Sequence, residues 1–148
     1  MSLEAQLSHE IARERAKRAA ELLSADPRVR LVFLFGSAAD PERPSVGDVD
    51  LAVLTEPPLT FDELLHLGAD LGDAAGPGID LVSLNTAPVV LTYEVATGGS
   101  CLFSREEGLD TEFVVRAILR YLDFKYYLDQ QWQVAGERLA ERQRGLAS

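Results

Sequence analysis

The stretch from Leu31 to Thr55 reads LVFLFGSAADPERPSVGDVDLAVLT, and it decides the architecture. Five apolar residues, Leu31 to Phe35, stop at Gly36-Ser37; a short apolar run bounded by a turn signal reads as a buried strand. A strand is therefore predicted over Val29–Phe35. Gly36-Ser37 permits a tight turn and close approach of backbone to a ligand. Residues Ser37 to Asp40 are expected to begin a short helix whose amide groups face anions. Pro41 and Pro44 stiffen a loop that returns the chain to a second strand, Val49–Thr55. That strand opens on two carboxylates, Asp48 and Asp50, which alternation places on one face, about 7 Å apart at the backbone. Like charges at that spacing repel, and folding gains nothing from them. A divalent cation removes the penalty, and oxygen-only ligands suit magnesium or manganese. The competing reading of such acids is that they cap a loop.

Gly36-Ser37, ten intervening residues and then Asp48-Val49-Asp50 form a pattern that resembles the DNA polymerase β-like nucleotidyltransferases, most closely their minimal prokaryotic branch. The resemblance implies that the first strand delivers Gly36 and Ser37 to nucleotide phosphates, with Arg43 as the loop cation, and that the second delivers Asp48 and Asp50 to metal. It also implies a third metal-binding acid on a later strand, a role that falls on Asp80. The implied fold is α/β (α+β), a small mixed sheet flanked by helices. The segments expected are an N-terminal helix over 1–25, the catalytic sheet and helices over 29–104, and C-terminal helices over 105–148, all in one domain.

At 148 residues and 47% hydrophobic, the chain has the size and composition of a globular domain with a real core. No signal peptide and no transmembrane run is read, and the single cysteine, Cys101, fits a reducing cytoplasm. Cys101 is expected to be a small buried filler. The net charge of −10, with only Lys17 and Lys125 as lysines, argues against a partner with a long nucleic acid backbone, which needs a basic surface.

Residues 3–23 carry a loose helical pattern that includes Leu3, Leu7 and Ile11, and the cluster Arg13, Arg15, Lys17, Arg18 reads as a solvated helix face. His9-Glu10 does not complete a zinc motif, because position 13 is Arg. Thr60 to Glu63 reads as a capping box opening a helix through about Ala75. Gly76-Pro77-Gly78 is a turn into a strand, Ile79 to Leu84, and Asp80 in that apolar strand is expected to be buried with a partner. A short helix is predicted over 87–97, a strand around Cys101–Phe103, and a second capping box at Ser104 to Glu107. A long helical pattern follows from Asp110, with Glu137 to Ser148 polar enough to fray. Five of the eleven aromatics lie in the last 28 residues, Tyr121, Phe124, Tyr126, Tyr127 and Trp132, and the surplus suggests a partner surface.

Three functional readings follow. The first, implied by the resemblance, is transfer of a nucleoside monophosphate, AMP from ATP, with two Mg2+ or Mn2+ ions, to a hydroxyl of a partner protein. Members of the minimal branch resemble antitoxins that silence a HEPN-type ribonuclease toxin in this way. The second is the same chemistry on an aminoglycoside-type small molecule, disfavoured by the short chain after Asp80. The third is an antitoxin acting by contact alone, disfavoured by three acids at one sheet edge. In any of these readings the aromatic C-terminal surface is expected to meet either a toxin or a second copy of the chain in a homodimer. Ala38 and Ala39, where relatives carry an arginine-containing stretch, and Gly47, where they carry serine, are departures that bear on phosphate affinity.

Overall fold

The computed structural model of the chain describes residues 3–43 and 47–147. The order is α1 (Leu3–Ser24), β1 (Val29–Phe35), a 3-10 turn (Gly36–Ala39), β2 (Val49–Thr55), α2 (Phe61–Ala75), β3 (Ile79–Ser83), α3 (Val89–Gly98), β4 (Ser100–Ser104) and α4 (Leu109–Ala147). The strands form one mixed sheet ordered β3-β2-β1-β4, with β1 antiparallel to β2 and β4 and β2 parallel to β3. Both strands of the Leu31–Thr55 stretch have the predicted bounds. Pro44 lies outside the described residues.

Strand alternation divides the core into two layers. Val32, Leu34, Leu51 and Val53 face α1 and α2, meeting Ala12, Ala16, Ala19, Leu23 and Leu71. With Ala20 beside them, four of the buried α1 positions are alanine, which lets α1 lie close to the sheet. Leu31, Phe33 and Ala52 face the other way, onto Leu84 and Val95, with Phe113 and Val114 of α4 behind them. Phe33 and Phe113 pack with ring centroids 5.4 Å apart, and Tyr93 of α3 stacks on Tyr121 of α4 at 3.9 Å.

The Thr60–Glu63 capping box forms as predicted, its Glu63 also pairing with Arg28. The second one does not. The Ser104 hydroxyl donates to the Glu106 carbonyl at 2.7 Å, and Gly108, at φ +84°, turns the chain into α4. Cys101 is exposed rather than buried, because β4 is an edge strand. The expected C-terminal helices are a single helix of 39 residues that continues through the polar stretch expected to fray. Its first turns pack on α3 and the sheet, whereas every residue from Lys125 to Leu139 is exposed, Trp132 at 74%. No helix among the described residues is long and apolar enough to cross a membrane.

Candidate functional site

The site is built where β1 ends and β2 and β3 begin. Phe35 on β1 and Asp80 on β3 both stand opposite Asp50, so the central strand carries its carboxylate between a turn and a second acid. Leu51 and Leu81 belong to the layer under α1 and α2. Alternation therefore puts Asp50 and Asp80 on the opposite face, the one that α3 covers.

Gly36 makes the close approach possible. It adopts φ +73°, a left-handed conformation, and a Cβ built there would lie 2.4 Å from Asp50 Oδ2. A side chain at position 36 would displace the Asp50 carboxylate, so the Gly36 backbone and that carboxylate define one tight corner. Ser37 closes the return loop: its hydroxyl accepts from the Gly47 amide at 3.3 Å. That bond holds Gly47, and with it Asp48, beside the Gly-Ser turn. The Val49 amide donates to the Gly78 carbonyl at 2.8 Å, which fastens the start of β2 to the lead-in of β3. Gly78, at φ +81°, leaves room for Asp48, whose Oδ1 would be 3.2 Å from a Cβ there.

The electrostatics follow from this arrangement. Asp50 is half-buried, and its pKa is raised above the ordinary 3.8 first by burial, then by the charges of Asp80 and Asp48. Asp48 and Asp80 are thus each within electrostatic reach of Asp50. Two details of the sequence reading change. Asp80 is exposed, because β3 is an edge strand, so burial is not what demands a partner for it. Asp48 precedes the strand and lies in the turn, lining a cavity of about 360 Å3 with Ile11 and Arg15 on the α1 side.

Among the described residues no group of three or more His, Cys, Asp or Glu side chains is arranged to hold a metal ion by itself. Mg2+ rarely needs one: it keeps several waters and takes one or two carboxylates plus substrate phosphates. An open row of repelling oxygen donors, with Asp50 pushed toward its neutral form by burial and by its neighbours' charges, fits that requirement.

A second cavity, of about 600 Å3, adjoins Gly36 and is lined by Arg43, Asp40, Glu94 and Thr97 among others. Arg43 is exposed and pairs with Asp40 at 3.8 Å. Two residues beside the site take roles that the sequence reading did not give them. His9 of α1 donates from Nε2 to the Arg43 carbonyl at 2.9 Å, pinning the loop to the helix. Arg15, expected on a solvated face, instead donates to the Pro77 carbonyl at 3.2 Å and clamps the turn that leads into β3. Both contacts span more than thirty residues of sequence, and no local pattern announces them.

Comparison with known proteins agrees with this fold. Residues 17–108, more than half of the chain, match the family described as Polymerase beta, Nucleotidyltransferase. The protein adenylyltransferase MntA of Shewanella oneidensis is 33% identical over 95 residues, 64% of this chain and 68% of the relative. Among solved structures, a tri-AMPylated Shewanella oneidensis HEPN toxin in complex with MNT antitoxin is similar with a TM-score of 0.67 and 28% identity. That match covers 80% of this chain and 93% of the other. A toxin–antitoxin structure with AMP-PNP is similar with a TM-score of 0.69 and 28% identity, over 78% of this chain and 93% of the other. The matched segment holds both strands of the Leu31–Thr55 stretch and all three aspartates, and the chain belongs to the polymerase beta nucleotidyltransferase family.

Proposed function

We propose that this chain is a protein adenylyltransferase that moves AMP from ATP to a hydroxyl, most directly a tyrosine, of a HEPN-type toxin partner, and so acts as an antitoxin. The observation that carries the reading is the corner formed by Gly36, Asp50 and Asp80, in a chain 33% identical to a protein adenylyltransferase. The similarity to a complex holding an AMPylated toxin supports the acceptor class. A cytoplasmic setting fits a chain with one cysteine.

In this reading Asp48, Asp50 and Asp80 would hold two Mg2+ or Mn2+ ions together with the nucleotide phosphates. Ions bound there would supply neutralisation of the charge on the attacking and leaving oxygens. The Gly36 backbone approaches the phosphates without steric conflict, and Arg43 adds a cation for them. Ser37 keeps the loop closed against Gly47 and, where its hydroxyl turns, offers a donor. Asp80, exposed at the edge strand, takes the proton of the acceptor hydroxyl. The oxygen then forms a bond to the α-phosphorus, the bond from that phosphorus to the bridging oxygen breaks, and pyrophosphate leaves with the electron pair. Positioning and charge neutralisation supply the rate, with no covalent enzyme intermediate.

The test is intact-mass spectrometry of a HEPN-type toxin after co-expression with the wild type or with the Asp48→Ala, Asp50→Ala double variant. The expected result is a mass gain of one or more AMP units with the wild type alone. A toxin neutralised equally by both, with no change of mass, establishes contact-only inhibition instead.

A further inference from the structure

We infer that Glu94 of α3 reads the nucleoside half of the nucleotide by accepting a hydrogen bond from one of its donors, a ribose hydroxyl or the exocyclic amine of the base. The inference rests on the proposed nucleotide chemistry and adds to it the end of the cavity that selects the nucleotide.

The cavity of about 600 Å3 is of a size that holds a small-molecule ligand, and its two walls differ in chemistry. One wall is the Gly36 turn and the Arg43 loop, the side that offers positive charge. Its acid, Asp40, is occupied: it pairs with Arg43 at 3.8 Å and accepts from the Glu42 amide at 3.0 Å. The other wall is the outer face of α3, where Glu94 and Thr97 lie one turn apart. The Thr97 hydroxyl spends its hydrogen on the Tyr93 carbonyl at 2.8 Å, so it can offer the cavity only lone pairs. The Glu94 side chain is exposed and makes no ion pair or hydrogen bond among the described residues, and an ionised carboxylate only accepts. The α3 wall therefore presents acceptors alone.

A nucleotide is divided in the same way. Its phosphates carry acceptors and negative charge, and its sugar and base carry the donors. Phosphates against Glu94 would meet a like charge in a partly enclosed space, which is unfavourable. Phosphates at the Gly36 and Arg43 wall leave the donor-bearing half to face Glu94. A site built to hydrogen-bond a substrate hydroxyl or amine discriminates strongly against the analogue that lacks it, because its polar group is left unpaired.

The experiment measures kcat/KM for AMP or analogue transfer by the full chain with ATP, 2′-deoxy-ATP, 3′-deoxy-ATP and purine riboside triphosphate, which lacks the amine. The wild type is expected to disfavour one of the three analogues by about tenfold or more. Glu94→Ala should bring that ratio to within about twofold of unity, mainly through KM, while Glu94→Gln, which keeps an acceptor oxygen, should retain part of it. The analogue disfavoured identifies which donor is read. Equal loss with ATP and every analogue in Glu94→Ala overturns the inference, as does a wild type that accepts all four alike. A wild type that transfers no nucleotide at all fails the proposed function itself, a result distinct from either of these.

Discussion

Replacing Gly36 by alanine should damage the site twice, by amounts the geometry sets. The backbone at φ +73° costs an L-residue roughly 1–2 kcal/mol. The new methyl would also stand 2.4 Å from Asp50 Oδ2, about 1 Å inside ordinary van der Waals contact, so the carboxylate must swing away by about that distance. A misplacement of about 1 Å in a positioned reacting group can lower a rate by about 100-fold. The expected phenotype is therefore a folded protein, less stable by about 1–2 kcal/mol, whose kcat falls by about two orders of magnitude. Urea denaturation gives the first quantity and initial rates of AMP transfer at saturating ATP give the second. Full activity with wild-type stability would refute the claim that the Gly36–Asp50 corner positions the chemistry. A rate loss that disappears on correcting for the unfolded fraction would refute it equally.

Asp50→Asn should stabilise the free protein above the ordinary carboxylate range. The folded pKa of Asp50 lies above 3.8, so the fold favours the protonated form, and wild-type stability declines as pH rises from 3.8 through the raised value. The mutant's advantage in melting temperature should thus be small at low pH and grow toward neutrality, and an advantage that shrinks with rising pH would contradict it. Arg105 donates to the carbonyls of Ser24, Asp26 and Val29 at 2.9–3.1 Å, tying the end of α1 to β1. Arg105→Ala should cost about 2–3 kcal/mol in the urea midpoint at constant slope. Trp132, 74% exposed on α4, should act as a partner anchor, with Trp132→Ala weakening toxin association by about 2 kcal/mol or more in calorimetric titration. Unchanged affinity would place the interface elsewhere.

The parts of the fold that were legible in the sequence are those set by local pattern. Apolar runs ended by Gly36-Ser37 and by Pro57-Pro58 fix β1 and β2, and the Thr60–Glu63 box fixes the start of α2. What the sequence could not give is pairing. Asp50 stands opposite Asp80 because β2 and β3 run parallel around α2, a register that no residue near either acid specifies. Edge position is likewise invisible locally, which is why Asp80 and Cys101 were expected inside and lie exposed. Ser104 had the spacing of a cap, but Gly108 offered a tighter turn and the hydroxyl bonded within it. The helical pattern from Asp110 reads as one or several helices equally well, and with no proline after Pro88 nothing breaks it. His9, Arg15 and Glu94 reach the site from α1 and α3, by tertiary packing alone.

The central claim is that these carboxylates transfer the α-phosphoryl unit of ATP, and it is tested most directly by where a label goes. Purified chain, its toxin partner and magnesium are incubated with ATP labelled at the α- or at the γ-phosphate, for the wild type and for Asp80→Asn. The prediction is α-label on the toxin, none from the γ-position, one pyrophosphate released per transfer, and a rate at least about 100-fold lower in the mutant. Label arriving from the γ-phosphate, or α-label transferred at an undiminished rate by Asp80→Asn, would contradict it.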